Sequence, residues 1–189
     1  MSKFEIIGTS FEGLCLIRPS VFSDQRGMFR ETYNEKEFEK IGIPKIYVQD
    51  NHSRSKKGTL RGLHYQVRKP QAKLIIVARG SVFDVAVDLR RDSDTYGKWY
   101  GAVLSEENAL EVFIPEGFAH GFLALSDTDF LYKCSTLYDP QDEAGIIWND
   151  REIGIRWPLR EYGIDEPLLS EKDKKWPTLK ELKFSRFED

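Results

Sequence analysis

The chain has 189 residues, enough to bury one sizeable core without calling for a second, so a single domain spanning 1–189 is expected. Its 28 basic and 31 acidic residues leave a formal charge of -3 and are dispersed rather than blocked, which argues against a nucleic-acid partner. The opening MSKFEIIGTS has no apolar core of signal-peptide length, and no run reaches the span of a bilayer, so a cytoplasmic protein with no membrane partner is expected.

Leu14 to Ile17 and Val21-Phe22 are short apolar pieces separated by Pro19, as in edge strands or arms, and Ser23-Asp24-Gln25-Arg26-Gly27 is a turn by composition. Asn34 followed by Glu37 resembles a capping box, and Phe38 and Ile41 give a partial helical stripe that Gly42 and Pro44 end. From Ile46 to Leu125, β-branched and aromatic residues recur between glycine turns at Gly58, Gly80, Gly101 and Gly117, which specifies an all-β body. Lys73 to Leu89 reads as a hairpin about Arg79-Gly80, with Phe83, Val85, Val87 and Leu89 on a core face. Asp84 and Asp88 alternate onto the other face, which meets water in an open sheet and lines a polar cavity in a closed barrel; the solvated face is the commoner arrangement. Phe130 to Lys133 is a further strand, Asp139-Pro140-Gln141-Asp142 a loop, and Ser170-Glu171-Lys172-Asp173 opens a last helix. Cys15 and Cys134 lack CxxC spacing and read as buried free thiols rather than a disulfide or zinc site.

Thr59-Leu60-Arg61-Gly62-Leu63-His64-Tyr65-Gln66 draws attention because it holds one of only three histidines, the side chain suited to proton transfer near neutral pH. A strand histidine is more often a hydrogen-bonded core residue, so both readings stand on the residues alone. Strict alternation puts Arg61 and His64 on opposite faces, and a bulge at Gly62 would turn both inward. Gly58-x5-His64 and Pro115-x-Gly117-x-x-His120 resemble the two cupin motifs, which implies a mainly β, cupin-like jelly-roll barrel with short peripheral helices. Where metal-binding cupins carry a second histidine and a glutamate, this chain has Tyr65-Gln66 and Pro70-Gln71. Two imidazoles and an amide suit a divalent metal poorly, so no metal is expected.

The ordered motifs DQRGMFRE from Asp24, VQDNHS from Val48, LRGLHYQ from Leu60 and VFDVAVDLR from Val82 continue with IPEGFAHGFLALS from Ile114, FLYK from Phe130, IIWND from Ile146 and LSEKD from Leu169. Together they resemble the dTDP-4-dehydrorhamnose 3,5-epimerase family over nearly the whole chain. The resemblance implies a cofactor-independent, homodimeric isomerase that converts dTDP-4-keto-6-deoxy-D-glucose to dTDP-4-keto-L-rhamnose in dTDP-L-rhamnose biosynthesis. Such a reaction removes a carbon-bound proton beside a ketone, holds the enolate and returns a proton to the other face. The family pattern implies His64 as base paired with Asp173, and Tyr132 as opposite-face donor; Lys73 suits the keto oxygen.

By the same resemblance, Arg26 and Arg61 meet the diphosphate with Lys172 as a further cation, and Phe22 packs near the base. Glu31, Gln49, Asp50, Asn51 and Glu143 match positions around the sugar nucleotide, His120 lies near the substrate, and Tyr138 stacks on thymine across a dimer interface. Asp173 also stands three residues after Ser170, the N3 place of a capping box. Tyr132 and Tyr138 share a face if their strand continues, with α-carbons roughly 20 Å apart. A mono-epimerase or ketoisomerase on the same scaffold, a metal-dependent cupin oxygenase and a non-catalytic sugar-nucleotide-binding cupin are the rival readings.

Overall fold

A computed structural model describes residues 2–43 and 46–182; the placing of Pro44 at a helix end falls outside them. In chain order the elements are β1 (Phe4–Gly8), β2 (Cys15–Pro19), β3 (Val21–Asp24), β4 (Gly27–Arg30), α1 (Glu35–Lys40), β5 (Gln49–Ser55), β6 (Leu60–Gln66) and β7 (Lys73–Arg79). They continue as β8 (Ser81–Asp88), β9 (Trp99–Ser105), β10 (Glu111–Ile114), β11 (Phe118–Ala124), β12 (Thr128–Cys134) and β13 (Glu143–Gly145), with a 3-10 turn at Leu179–Glu181. Two antiparallel sheets, ordered β1-β2-β10-β7-β12-β5 and β13-β6-β11-β8-β9, form a cupin-like jelly roll, and β3-β4 is a separate ribbon.

The core lies between the sheets. Ile75 and Val77 of β7, Val112 of β10 and Phe130 of β12 meet Val82 and Ala86 of β8, Leu104 of β9 and Phe122 of β11. Each of these side chains larger than alanine contributes about 1.5–3 kcal/mol on burial. The outer face of the β6-β11-β8 sheet is covered as well, because Leu63, Val85, Val87 and Ala119 pack against Ile146, Ile153 and Leu179 of the C-terminal segment. On the other sheet, Phe38 of α1 seals Ile17, Leu74 and Phe113. Its helix starts where the Glu37 N–H donates to the Asn34 side chain at 3.3 Å, as the capping pattern predicts.

Several local expectations are corrected. Lys73 to Leu89 is not a hairpin: β7 pairs with β10 and β12, whereas β8 pairs with β9 and β11. The turn at Gly80 carries the chain from one sheet to the other, with φ +76° and no room for a Cβ beside Ser126 and Thr128. Alternation and turn composition are the same whether the next strand pairs back or crosses over, so the sequence pattern does not separate them. Asp84 and Asp88 do not face water; they are 3% and 0% exposed, because the barrel is closed on one side of β8 and covered on the other. Gly101 lies inside β9 rather than at a turn, where its bare Cα admits the Phe83 ring.

Three more differences concern chain direction. β2 is internal between β1 and β10 rather than an edge strand, and the arm is the β3-β4 ribbon. Ser170 to Asp173 opens a turn and not a helix; Pro177 follows too soon for helical continuation. β12 stops at Cys134, so Tyr132 and Tyr138 do not share a strand, and the returning loop brings both to one cavity. Cys15 and Cys134 are free thiols, the first half-buried and the second buried.

Candidate active site

The expected bulge is present in β6. His64 stands opposite His120 and Arg61 opposite Phe122, so Gly62 and Leu63 of β6 face the single Gly121 of β11. Gly62 holds φ +126°, and a Cβ there would lie 2.5 Å from the Gly121 Cα and 2.8 Å from the His120 carbonyl oxygen. Only glycine fits this crossing, and its consequence is that Arg61 and His64 line the same cavity.

Two adjoining cavities of about 330 Å³ each share His64, Lys73 and Tyr132. The first is also lined by Gln49, Asn51, Gln66, Gln71, Cys134, Tyr138 and Glu143. The second adds Arg61, His120, Phe122, Phe130, Ser170, Lys172 and Asp173. His64 enters from β6 in one sheet, whereas Lys73 and Tyr132 enter from β7 and β12 in the other. Cys134 pairs with Lys73 and Tyr132 with Ile75, which puts Lys73 and Tyr132 on one inward face; the ammonium lies 6.0 Å from the phenol ring centroid.

His64 Nε2 lies 2.5 Å from Asp173 Oδ1, across 109 positions of sequence. The Trp176 indole N–H donates to the same oxygen at 3.2 Å, and the Asp173 backbone N–H donates to Ser170 Oγ at 3.1 Å. Burial alone would raise the Asp173 carboxyl, but hydrogen bonds from His64, Ser170 and Trp176 hold it below its ordinary value. Of the two sequence readings of Asp173, the capping box is replaced by a turn in which Ser170 Oγ accepts from the Asp173 backbone N–H, while the carboxylate is on the histidine.

A second pair sits beside it, His120 Nε2 to Asp84 Oδ2 at 2.8 Å, buried against the Phe130 ring. Burial lowers the His120 imidazole's pKa, opposed by Asp84 and reinforced by Lys73 and His64. Burial likewise pulls down the Lys73 ammonium, with Cys134, Asp84 and Glu143 opposing, and pushes up the Tyr132 phenol. At the mouth, Tyr138 donates to Glu143 Oε2 at 2.8 Å, which with burial raises the phenol to about 12. Lys172 reaches the same carboxylate at 2.7 Å.

Not every expected residue joins the cavity of its own chain. Gln49 and Asn51 do, linked to each other at 2.9 Å. Phe22 and Arg26 lie on the exposed ribbon, where Arg26 is paired with Asp24; Glu31 binds Lys3, and Asp50 binds Lys133 on the surface. Sequence reasoning passed over Cys134, Phe122 and Trp176, which carry no polar-pattern signal distinct from core residues. Asp84 did carry one, as a carboxylate set between apolar neighbours in β8. Among the described residues, no three His, Cys, Asp or Glu side chains converge as a metal site requires.

The family profile described as dTDP-4-dehydrorhamnose 3,5-epimerase matches residues 8–181. The chain belongs to this epimerase family. The epimerase of Methanothermobacter thermautotrophicus is 54% identical over 182 residues, covering 96% of this chain and 97% of the relative. The Escherichia coli K12 epimerase is 48% identical over 180 residues, covering 94% and 95%. The Legionella pneumophila epimerase, crystallised in complex with dTDP-4-keto-L-rhamnose, aligns with TM-score 0.90 and 45% identity over 95% of this chain and 94% of that one. A 3'-monoepimerase from Streptomyces bikiniensis in complex with dTDP-quinovose aligns with TM-score 0.83 and 35% identity over 91% and 86%.

Proposed function

We propose that this epimerase inverts C3 and C5 of dTDP-4-keto-6-deoxy-D-glucose with His64 as base and Tyr132 as opposite-face acid. The observation that carries the reading is a carboxylate-bound imidazole on one sheet facing a phenol and an ammonium on the other, in one cavity. Donation of Nε2–H to Asp173 fixes the tautomer that leaves the lone pair on Nδ1, and the anionic partner stabilises the imidazolium once the carbon proton is taken. Lys73, desolvated and within reach of the same space, supports negative charge on the keto oxygen. Tyr132 stays protonated at neutral pH because burial raises it, as a donor to the opposite face requires.

Arg61 and Lys172 suit the diphosphate at the second cavity, beside His120. Phe22, Arg26 and Glu31 lie away from their own cavity, and the ribbon exposes Val21, Phe22, Met28 and Phe29, which suits delivery to a second copy in a cytoplasmic homodimer. Proton NMR of the 4-keto-6-deoxy sugar nucleotide in deuterium oxide tests the reaction. Enzyme-dependent loss of both the H3 and H5 signals is expected. The scaffold also hosts a 3'-monoepimerase, and loss of one signal alone would select that reading. Loss of neither, with nucleotide binding intact, would make this a binding protein.

A further inference from the structure

Trp176 occupies a place that packing alone does not explain. Its indole lies flat against Gly145, where a Cβ would fall 2.5–2.7 Å from the ring atoms Cε2, Cδ2 and Nε1. Gly145 has no positive φ, so space for this ring is the reason for glycine there. Gly145 is in turn the cross-strand partner of His64 between β13 and β6. The Ile147 N–H donates to the Pro177 carbonyl at 2.9 Å and pins the next residue of the segment. Lys172 Nζ stands 5.8 Å from the indole centroid, and the indole meets the His64 ring edge-on at 6.0 Å. The indole N–H is thereby aimed at Asp173 Oδ1, the oxygen that also accepts from His64 Nε2.

We propose that Trp176 is a positioning residue for the base: by sharing Asp173 Oδ1 with His64, its N–H orients the carboxylate and limits how strongly it draws the imidazole proton. The inference rests on the His64–Asp173 reading above. A donor that stabilises the carboxylate weakens its pull on the imidazolium, so removing the donor makes His64 more basic. The other charged groups facing His64 come from several elements: Lys172 beside Asp173, Arg61 on β6, His120 on β11 with Asp84 on β8, Lys73 on β7 and Glu143 on β13. Tyr132 faces it from β12. Of these, Lys172 also meets the indole, 5.8 Å from its centroid, and Trp176→Phe keeps an aromatic face there while removing the N–H.

Trp176→Phe keeps an aromatic ring and removes the N–H. The test is an NMR titration of the His64 imidazole in the substrate-free protein, alongside the pH profile of kcat/KM for deuterium wash-in. The His64 midpoint is expected to rise by about 0.5–1 pH unit, and the acid limb of kcat/KM to move with it. Gly145→Ala, which pushes the indole off its seat while leaving every donor and acceptor in the chain, should move the midpoint in the same direction. An unmoved or lowered midpoint in both variants, whatever their stability, overturns the proposal and leaves Trp176 a packing residue. A raised midpoint in a protein that never exchanges H3 or H5 would uphold this inference and sink the epimerase reading, so the two failures are distinguishable.

Discussion

Asp173→Asn is the sharpest perturbation of the proposed mechanism, because it keeps the shape of the side chain and removes only its charge. The carboxylate is 5% exposed and His64 26% exposed, so neither bulk water nor a dry interior describes the pair. With an effective dielectric near 20 and charge centres about 4 Å apart, the imidazolium formed in the proton-transfer step loses ~4 kcal/mol of stabilisation. That corresponds to a fall of about 10³ in kcat/KM. The loss should be equal for wash-in at C3 and C5, because one base serves both centres. The assay is NMR-detected deuterium incorporation under kcat/KM conditions, with dTDP affinity measured by calorimetry and expected to stay within about threefold. A loss of less than about tenfold, or one confined to a single centre, would refute the view that Asp173 works through the charge on His64.

Tyr132→Phe should retain exchange at C3 and lose productive inversion at C5, read from the product's stereochemistry by NMR; equal retention of both inversions would point to another acid. Gly62→Ala forces a side chain into φ +126° and into the Gly121 backbone, at a cost of roughly 2–5 kcal/mol. For a chain of this size that lowers the melting temperature by about 5–15 °C, and a shift below about 2 °C in calorimetry would contradict the glycine crossing. Burial alone would raise Asp88, but donors from Arg90, Thr95 and Ser93 bring it down to about 2. A depressed carboxyl contributes stability above its unfolded value near 4 that is lost as pH falls through 2, on the order of 2 kcal/mol here. Asp88→Asn should therefore be destabilised in urea at neutral pH and converge on the parent at pH about 2; a constant gap between them would contradict the assignment.

The all-β body was legible because β-branched and aromatic residues recur between turns, and the capped start of α1 because Asn34 and Glu37 act within one helical turn. What failed were statements about which strand lies beside which. Gly80 looks like a hairpin turn, and its backbone is indeed a tight turn, yet the strands it joins enter different sheets. Asp84 was legible as a carboxylate alternating onto one face of its strand, but its burial depends on His120, 36 positions later, and on the closing of the sandwich. The site follows the same division. His64 and the bulge at Gly62 could be read from eight consecutive residues. The pairing with Asp173 is non-local, and the indole that shares its oxygen left no trace in any local pattern.

The division of the site between two sheets has a consequence for how its dimensions are maintained. His64 hangs from one layer and Lys73 and Tyr132 from the other, so the gap between them is the thickness of the sandwich. That thickness is about 10 Å for packed sheets, and it is set by Ile75, Val77, Val112, Leu104 and Phe130 rather than by the polar residues themselves. The apolar core thus sets the spacing between these polar side chains, and in the proposed mechanism a change of core volume far from the chemistry would be felt as a change in that gap.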